Sequence, residues 1–125
     1  MVDGVKAGAD EGTVDGEWYK AHIVAGTVPA NIAIIDVRSA AEYANGHIKG
    51  AINIEAGKMS AADFAAKLPK GKVVIINCAT GGRAMEAHMK LKDAKVDVSK
   101  VMYFDANIKC DAASKCEIKV NEPLG

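Results

Sequence analysis

Several residue types that mark specialised classes of protein are scarce in this sequence of 125 residues. It contains only three cysteines, three prolines and 5% aromatic residues. Three cysteines are too few for a disulfide scaffold, and their odd number leaves at least one thiol without an intramolecular partner. No apolar stretch is longer than four residues, as at 73–76, whereas about 20 are needed to span a bilayer. We therefore expect a soluble protein with no membrane partner.

An excess of charge of either sign is also missing. Lys and Arg number 16, Asp and Glu number 16, and the formal net charge is zero. A balanced charge does not attract nucleic acid, so we expect no nucleic-acid partner. Half of the residues are hydrophobic and 26% are charged, a composition typical of a globular domain. The length accommodates one such domain, which we expect to be monomeric.

The first fifteen residues carry glycine at positions 4, 8 and 12 and show no apolar periodicity. They predict a flexible tail over 1–15, followed by a single domain over 16–125. A basic segment leading into an apolar stretch is missing, so we expect no signal peptide, although such a tail could also remain after cleavage of one.

Apolar runs and helical periods alternate along the rest of the chain. Continuous apolar runs are typical of buried strands, and Ser39 with Glu42 and Ser60 with Asp63 have the spacing of helix N-caps. The predicted strands are 32–37, 51–54, 73–77 and 101–104, and the predicted helices are 16–25, 39–45, 61–68 and 83–92. This alternation favours an α/β fold with a mainly parallel sheet flanked by helices. Two further short strands, 107–110 and 116–120, are predicted to form a C-terminal hairpin.

Cys78 stands where a buried strand ends and a helix is expected to begin. Ligand sites of open α/β sheets lie at such junctions. Gly81 and Gly82 allow the backbone to curl so that successive N–H groups point into one cavity, and Arg83 adds a full positive charge beside a helix N-terminus. These groups would stabilise a thiolate or an anionic adduct on the sulfur. The alternative is a small cysteine simply packed at the end of a strand.

The spacing from Cys78 to Arg83 separates two kinds of chemistry. Four residues lie between them, a C-x4-R loop, whereas cysteine phosphatases use a C-x5-R loop that accommodates phosphate. The shorter loop suits a single sulfur atom better than a tetrahedral oxyanion. A cysteine phosphatase therefore remains an alternative that the loop length disfavours.

Two motifs together resemble the signatures of the rhodanese (sulfurtransferase) family. Residues 36–53 read D-V-R-x3-E-Y-x2-G-H-I-x-G-A-x-N, similar to the first signature, and residues 78–83 read C-x2-G-x-R, similar to the active-site loop. The resemblance covers roughly 32–105. It implies a central sheet of five parallel strands flanked by helices.

The resemblance also implies an activity and its residues. Cys78 would be the nucleophile that takes a sulfane sulfur and becomes a persulfide, within the backbone N–H groups of Ala79, Thr80, Gly81, Gly82 and Arg83. A small anionic donor such as thiosulfate, a polysulfide or a persulfide would supply the sulfur, and cyanide or a thiol, including one on a partner protein, would accept it. The family uses neither a metal nor an organic cofactor. Because Ala79 is not basic, efficient use of dianionic thiosulfate is less expected.

Four residues near the motifs have simpler interpretations. His47 is expected to bond the backbone turn between 46 and 50, and Asp36 to accept from loop N–H groups near the site. Arg38 is expected to pair with Glu42. His88, on the helix after the loop, is expected to face solvent.

Cys110 and Cys116 lie outside the resemblance, and two interpretations stay open for them. A disulfide across the predicted hairpin is favoured, which would indicate an oxidising compartment such as the periplasm; without it the cytoplasm is expected. Alternatively, one of them could resolve an oxidised or persulfidated Cys78. Sulfurtransferase, non-catalytic persulfide carrier and thiol redox sensor are accordingly the functions that the sequence leaves to be distinguished.

Overall fold

A computed structural model describes residues 4–25 and 28–119 of the chain. Its centre is a parallel sheet with the strand order β2-β1-β3-β4. These strands are β1 (Ile32–Asp36), β2 (Ile52–Asn53), β3 (Val73–Asn77) and β4 (Val101–Tyr103). All four predicted strands are therefore confirmed, each slightly shorter than expected.

The sheet has four strands rather than the five that the resemblance implied. At the position of a fifth strand, beside β4, Thr13 makes one isolated parallel bridge to Tyr103. A single bridge does not build a strand, which accounts for the difference.

The predicted helices are present as α1 (Gly16–Tyr19), α2 (Ala40–Asn45), α3 (Ala61–Lys67) and α4 (Gly82–Asp93). The first is α-helical for only one turn and continues as a π-helical turn, Lys20–Val24. Ser39 and Glu42 form the predicted capping box of α2, and the Ser60 side chain accepts from the backbone N–H of Asp63 at the start of α3. None of the helices in the described ranges combines the length and the apolar character that crossing a membrane requires.

Each face of the sheet has its own apolar core. On one face, Cys78 and alternate residues of β1 and β3 pack with Phe64 of α3 and Leu91 of α4. On the other face, Tyr19 and Phe104 stack with ring centroids 4.3 Å apart. The two-residue period of the strands thus assigns Cys78 to the face that α4 covers.

Residues 4–15 differ from the expected tail, because they pack onto the second face of the sheet. Val5 and Val14 are fully or almost fully buried there, at 0% and 2% exposure. The Tyr103 N–H donates to Gly12 O at 2.9 Å and the Val14 N–H to Tyr103 O at 3.1 Å, which holds the segment along β4. Two isolated valines among glycines have no periodicity, so the sequence pattern did not reveal them as core residues.

The predicted C-terminal hairpin is confirmed as β5 (Asn107–Cys110) and β6 (Cys116–Lys119), paired antiparallel. Val120, the expected end of its second strand, lies outside the described residues. Cys110 and Cys116 stand opposite each other and form a disulfide.

Candidate active site

Cys78 follows β3 directly and is buried, with 3% of its surface exposed. All three cysteines lie within the described residues, and Cys78 alone is unpaired. The strand ends here because the chain turns through residues 79–81 into α4. The sulfur therefore lies at the carboxyl end of the sheet and beside the N-terminus of a twelve-residue helix.

Two backbone N–H groups donate to the Cys78 sulfur. The Gly81 nitrogen lies 3.0 Å from Sγ and the Ala84 nitrogen 3.4 Å from it. The predicted group of donors, residues 79–83, contains the first but not the second. Ala84 belongs to the first turn of α4, where N–H groups have no partner within the helix, so the donor set extends one residue further than the loop.

Gly81 gives the loop its shape. As the N-cap of α4 it has φ 94°, in the left-handed region that glycine adopts without a steric penalty. This conformation turns the chain back over Cys78, and the Gly81 N–H then faces the sulfur. Of the other loop residues, Thr80 is exposed and Ala79 is half-buried, and the Ala79 carbonyl accepts from the Ile108 N–H of the hairpin at 2.8 Å. Gly82 is half-buried and begins α4.

Arg83 makes a contact that the sequence interpretation assigned to another residue. Its Nη1 and Nη2 donate to Oε1 and Oε2 of Glu42 at 2.7 Å and 2.9 Å, a bidentate ion pair between α4 and α2. Hydrogen bonding to Arg83 is the main cause that lowers the pKa of Glu42 to about 2. Hydrogen bonding to Glu42 is in turn the main cause that raises the pKa of Arg83, and the charge of Cys78 contributes in the same direction.

The prediction that Arg38 pairs with Glu42 is wrong. Arg38 instead donates to both carboxylate oxygens of Asp36, the closest contact being Nη2 to Oδ2 at 2.7 Å, and also to the Gly46 carbonyl at 2.7 Å. Asp36 is buried at the end of β1 and close in sequence, so it is the nearer partner. It also accepts from the Arg38 backbone N–H at 3.0 Å, as expected for a carboxylate that binds loop N–H groups.

Both histidines singled out in the sequence have surroundings other than those expected. His47 Nδ1 lies 2.7 Å from the Tyr43 carbonyl and its ring stacks on the Tyr43 ring, so it bonds the end of α2 rather than the turn that follows. His88 is buried at 4% exposure rather than facing solvent, with Nε2 3.0 Å from Val101 O. The packed segment around Gly12 covers it, and burial is the main cause that lowers its pKa.

The hairpin contacts the same edge of the fold. In addition to the Ile108–Ala79 hydrogen bond, it packs so tightly on Gly46 that a Cβ there would lie 2.8 Å from the Cys110 carbonyl oxygen. The disulfide therefore holds a structure that contacts the loop of Cys78, while its two sulfurs are bonded to each other.

A small depression of about 90 Å³ adjoins the loop between α4 and the 3-10 turn Ala56–Lys58, with Arg83, Glu86 and Lys90 among its lining residues. Within residues 4–25 and 28–119, no cluster of His, Cys, Asp and Glu side chains is arranged to hold a metal ion. The chemistry available at Cys78 is therefore that of a sulfur surrounded by backbone donors and one guanidinium group.

Residues 15–108 match the rhodanese-like domain. The chain belongs to the rhodanese-like domain family. This confirms the family to which the two motifs pointed, and the parallel sheet with its helices has the corresponding fold. A comparison with curated protein sequences found no match.

Solved structures have the same fold. The rhodanese-like domain of an Anabaena protein is 21% identical, with a TM-score of 0.60 over 93% of this chain and 87% of that one. An uncharacterised protein from Saccharomyces cerevisiae is 22% identical, with a TM-score of 0.54 over 84% of this chain and 88% of that one. A protein from Bacillus halodurans is 29% identical, with a TM-score of 0.50; the alignment covers 62% of this chain and only 56% of that protein. Membership of the family supports a sulfur-transfer role in general terms.

Proposed function

We propose that this rhodanese-like domain is a sulfurtransferase that carries a sulfane sulfur on Cys78. The observation that carries the proposal is the pair of N–H groups, from Gly81 and Ala84, that donate to the Cys78 sulfur. Hydrogen bonds to an anion are the strong ones, so these donors favour a thiolate as the attacking species and a persulfide anion as its product.

The proposed reaction has two displacement steps. The Cys78 thiolate attacks the outer sulfur of a donor such as thiosulfate, the donor's S–S bond breaks, and its electron pair leaves with sulfite. Cyanide or a thiolate then attacks the outer sulfur of the persulfide, which forms thiocyanate or a new persulfide and returns the Cys78 thiolate. No proton has to be transferred to or from the protein in the cyanide reaction, so the site needs no general base.

Residues of the loop have separate roles in this proposal. Ala79, Thr80, Gly81, Gly82 and Arg83 form the wall around the transferred sulfur, and Gly81 supplies a direct N–H donor. Ala84 supplies the second donor from the first turn of α4. The acceptor is a small nucleophile or the thiol of a partner protein. The disulfide is in keeping with an oxidising compartment.

A mass measurement and a turnover assay together test this function. Protein treated with thiosulfate without reductant should gain one sulfur atom, about 32 Da, on the Cys78 peptide, and cyanide should release it as thiocyanate. Cys78→Ser should lose both signals, whereas Cys110→Ser/Cys116→Ser should keep them. Thiocyanate formation that survives in Cys78→Ser would overturn the proposal.

Cys78 as a redox sensor is less well supported. The two possible partners, Cys110 and Cys116, are already bonded to each other, which leaves the thiol of Cys78 free. A peptide map without reductant distinguishes the two functions, because a sensor would show a mixed disulfide that includes Cys78. Transfer to a partner thiol without cyanide turnover would identify a persulfide carrier. Hydrolysis of p-nitrophenyl phosphate that is lost in Cys78→Ser would identify a phosphatase.

A further inference from the structure

The starting point is the state of Arg83, the charged residue of the Cys78 loop. Its guanidinium group is bound at both terminal nitrogens by the Glu42 carboxylate. The two side chains are 45% and 39% exposed, so the ion pair lies at the mouth of the loop and not in the core. A negative charge therefore stands next to the positive charge that would otherwise attract an anion to Cys78.

The other cations near this edge do not restore an excess of positive charge. Arg38 is paired with Asp36 and is only 15% exposed. Lys90 donates to the carbonyl oxygens of Ala56 and Met59, and Glu86 lines the same depression. The loop residues at 79–82 are uncharged. The charges at the mouth are thus closely balanced.

We propose that Glu42 is a specificity-determining residue: by offsetting the charge of Arg83, it makes the Cys78 loop favour sulfur donors with a single negative charge over dianions. The proposal rests on the sulfur-transfer function proposed above and narrows its donor class. Dianionic thiosulfate gains most from an unbalanced guanidinium group, and a monoanion such as a thiosulfonate or a persulfide gains less.

Both donor types undergo the same balanced reaction. With thiosulfate, the Cys78 thiolate takes the outer sulfur and sulfite leaves with the electron pair of the broken S–S bond. With a thiosulfonate, the same bond breaks and a sulfinate leaves. The two donors therefore differ in charge by one unit while the bond that is broken stays the same.

Glu42→Gln is the informative substitution because it removes the charge and little else. Glu42 also caps α2, where it accepts from the Ser39 backbone N–H. Glutamine fulfils this capping role as well and can still accept a hydrogen bond from Arg83. The matched control is Asp93→Asn, which removes the same charge from the other end of α4, about 15 Å further along the helix axis.

The first measurement needs no turnover. Iodoacetate and iodoacetamide alkylate the same thiol and differ by one negative charge, so the ratio of their rates at Cys78 reports the local potential. Glu42→Gln should raise the iodoacetate-to-iodoacetamide ratio about threefold, the size expected for one unit charge several ångströms away in a solvated site. Asp93→Asn should leave the ratio unchanged, and added salt should shrink the difference.

The second measurement uses the donors themselves, with cyanide as the acceptor. The ratio of kcat/KM for thiosulfate to kcat/KM for benzenethiosulfonate should also rise about threefold in Glu42→Gln, mainly through a lower KM for thiosulfate. A merely structural role for Glu42 would change both donors alike.

The outcomes separate the two proposals. If the wild-type protein forms no thiocyanate from either donor, the sulfur-transfer function fails, and the alkylation ratio still tests the charge balance. If turnover is present but neither ratio changes in Glu42→Gln, the role of Glu42 in specificity is overturned. Loss of activity toward both donors that Glu42→Asp restores would also overturn it, because that result shows a structural role alone.

Discussion

The two cysteine sites of this domain adjoin the same edge of the sheet and have opposite surroundings. Cys78 is buried, free, and faces two backbone N–H donors next to a helix N-terminus. Cys110 and Cys116 are half-buried in a hairpin, directly opposite each other, and form a disulfide. The comparison shows that the backbone around a thiol directs its chemistry: donors aimed at one sulfur favour an anion, and register that pairs two sulfurs favours a bond between them.

The largest expected effect on stability comes from removing the hairpin disulfide. Cys110→Ala/Cys116→Ala should lower the free energy of unfolding by about 2 kcal/mol, because the cross-link no longer restricts the unfolded chain. Sulfur loading of Cys78 should persist, since neither residue supplies a donor to its sulfur. Denaturant unfolding without reductant and the mass of the Cys78 peptide measure the two effects.

This prediction could break the comparison. The hairpin donates one hydrogen bond to the loop, from Ile108 to Ala79. If the double variant loaded sulfur on Cys78 tenfold more slowly, the two sites would be one functional unit connected by that contact.

Gly81→Ala should have the next largest effect on stability and should impair the site as well. The residue has φ 94°, where a Cβ costs about 1 kcal/mol. Relief of that strain would move the Gly81 N–H away from Sγ, so sulfur loading should fall about tenfold or more.

Gly71→Ala is the matched control for this substitution. It has φ 76° and open space around an added Cβ. It should lose a similar stability and keep full sulfur loading. Equal loading in the two variants would show that the Gly81 N–H contributes nothing to the chemistry.

The smallest effect concerns the ion pair at the mouth of the loop. Glu42→Gln should cost about 0.5 kcal/mol at pH 7, because both side chains are more than a third exposed and solvent screens them. The pKa of Glu42 is lowered to about 2 in the folded protein. Its contribution is therefore present above the ordinary value of 4.5 and is lost as the pH falls toward about 2.

Unfolding of both proteins at pH 7 and near pH 2.5 checks this sign. The difference between wild-type and Glu42→Gln should shrink on acidification, whereas the cost of removing the disulfide should not depend on the Glu42 carboxylate. A difference that is the same at both pH values would assign the effect to helix capping instead of the ion pair.

Much of the fold could be predicted because its signals are local. The apolar run of β3 and the capping box formed by Ser39 and Glu42 each lie within a few residues, and the structure confirms both. The burial of Val5 and Val14 could not be predicted in this way, since it depends on the distant strand β4. His88 was misplaced for the same reason: the segment that covers it was itself expected to be a tail.

The candidate site divides along the same line. The spacing from Cys78 to Arg83 and the glycine at position 81 are properties of a short segment, so the sequence by itself determined the thiol, the length of its loop and the left-handed turn that the loop needs. Only the tertiary structure decided that Ala84 donates to the sulfur and that Glu42 binds Arg83, 41 residues away. Hydrogen bonds and ion pairs form between whichever groups packing brings within about 3 Å, and no local pattern encodes that distance.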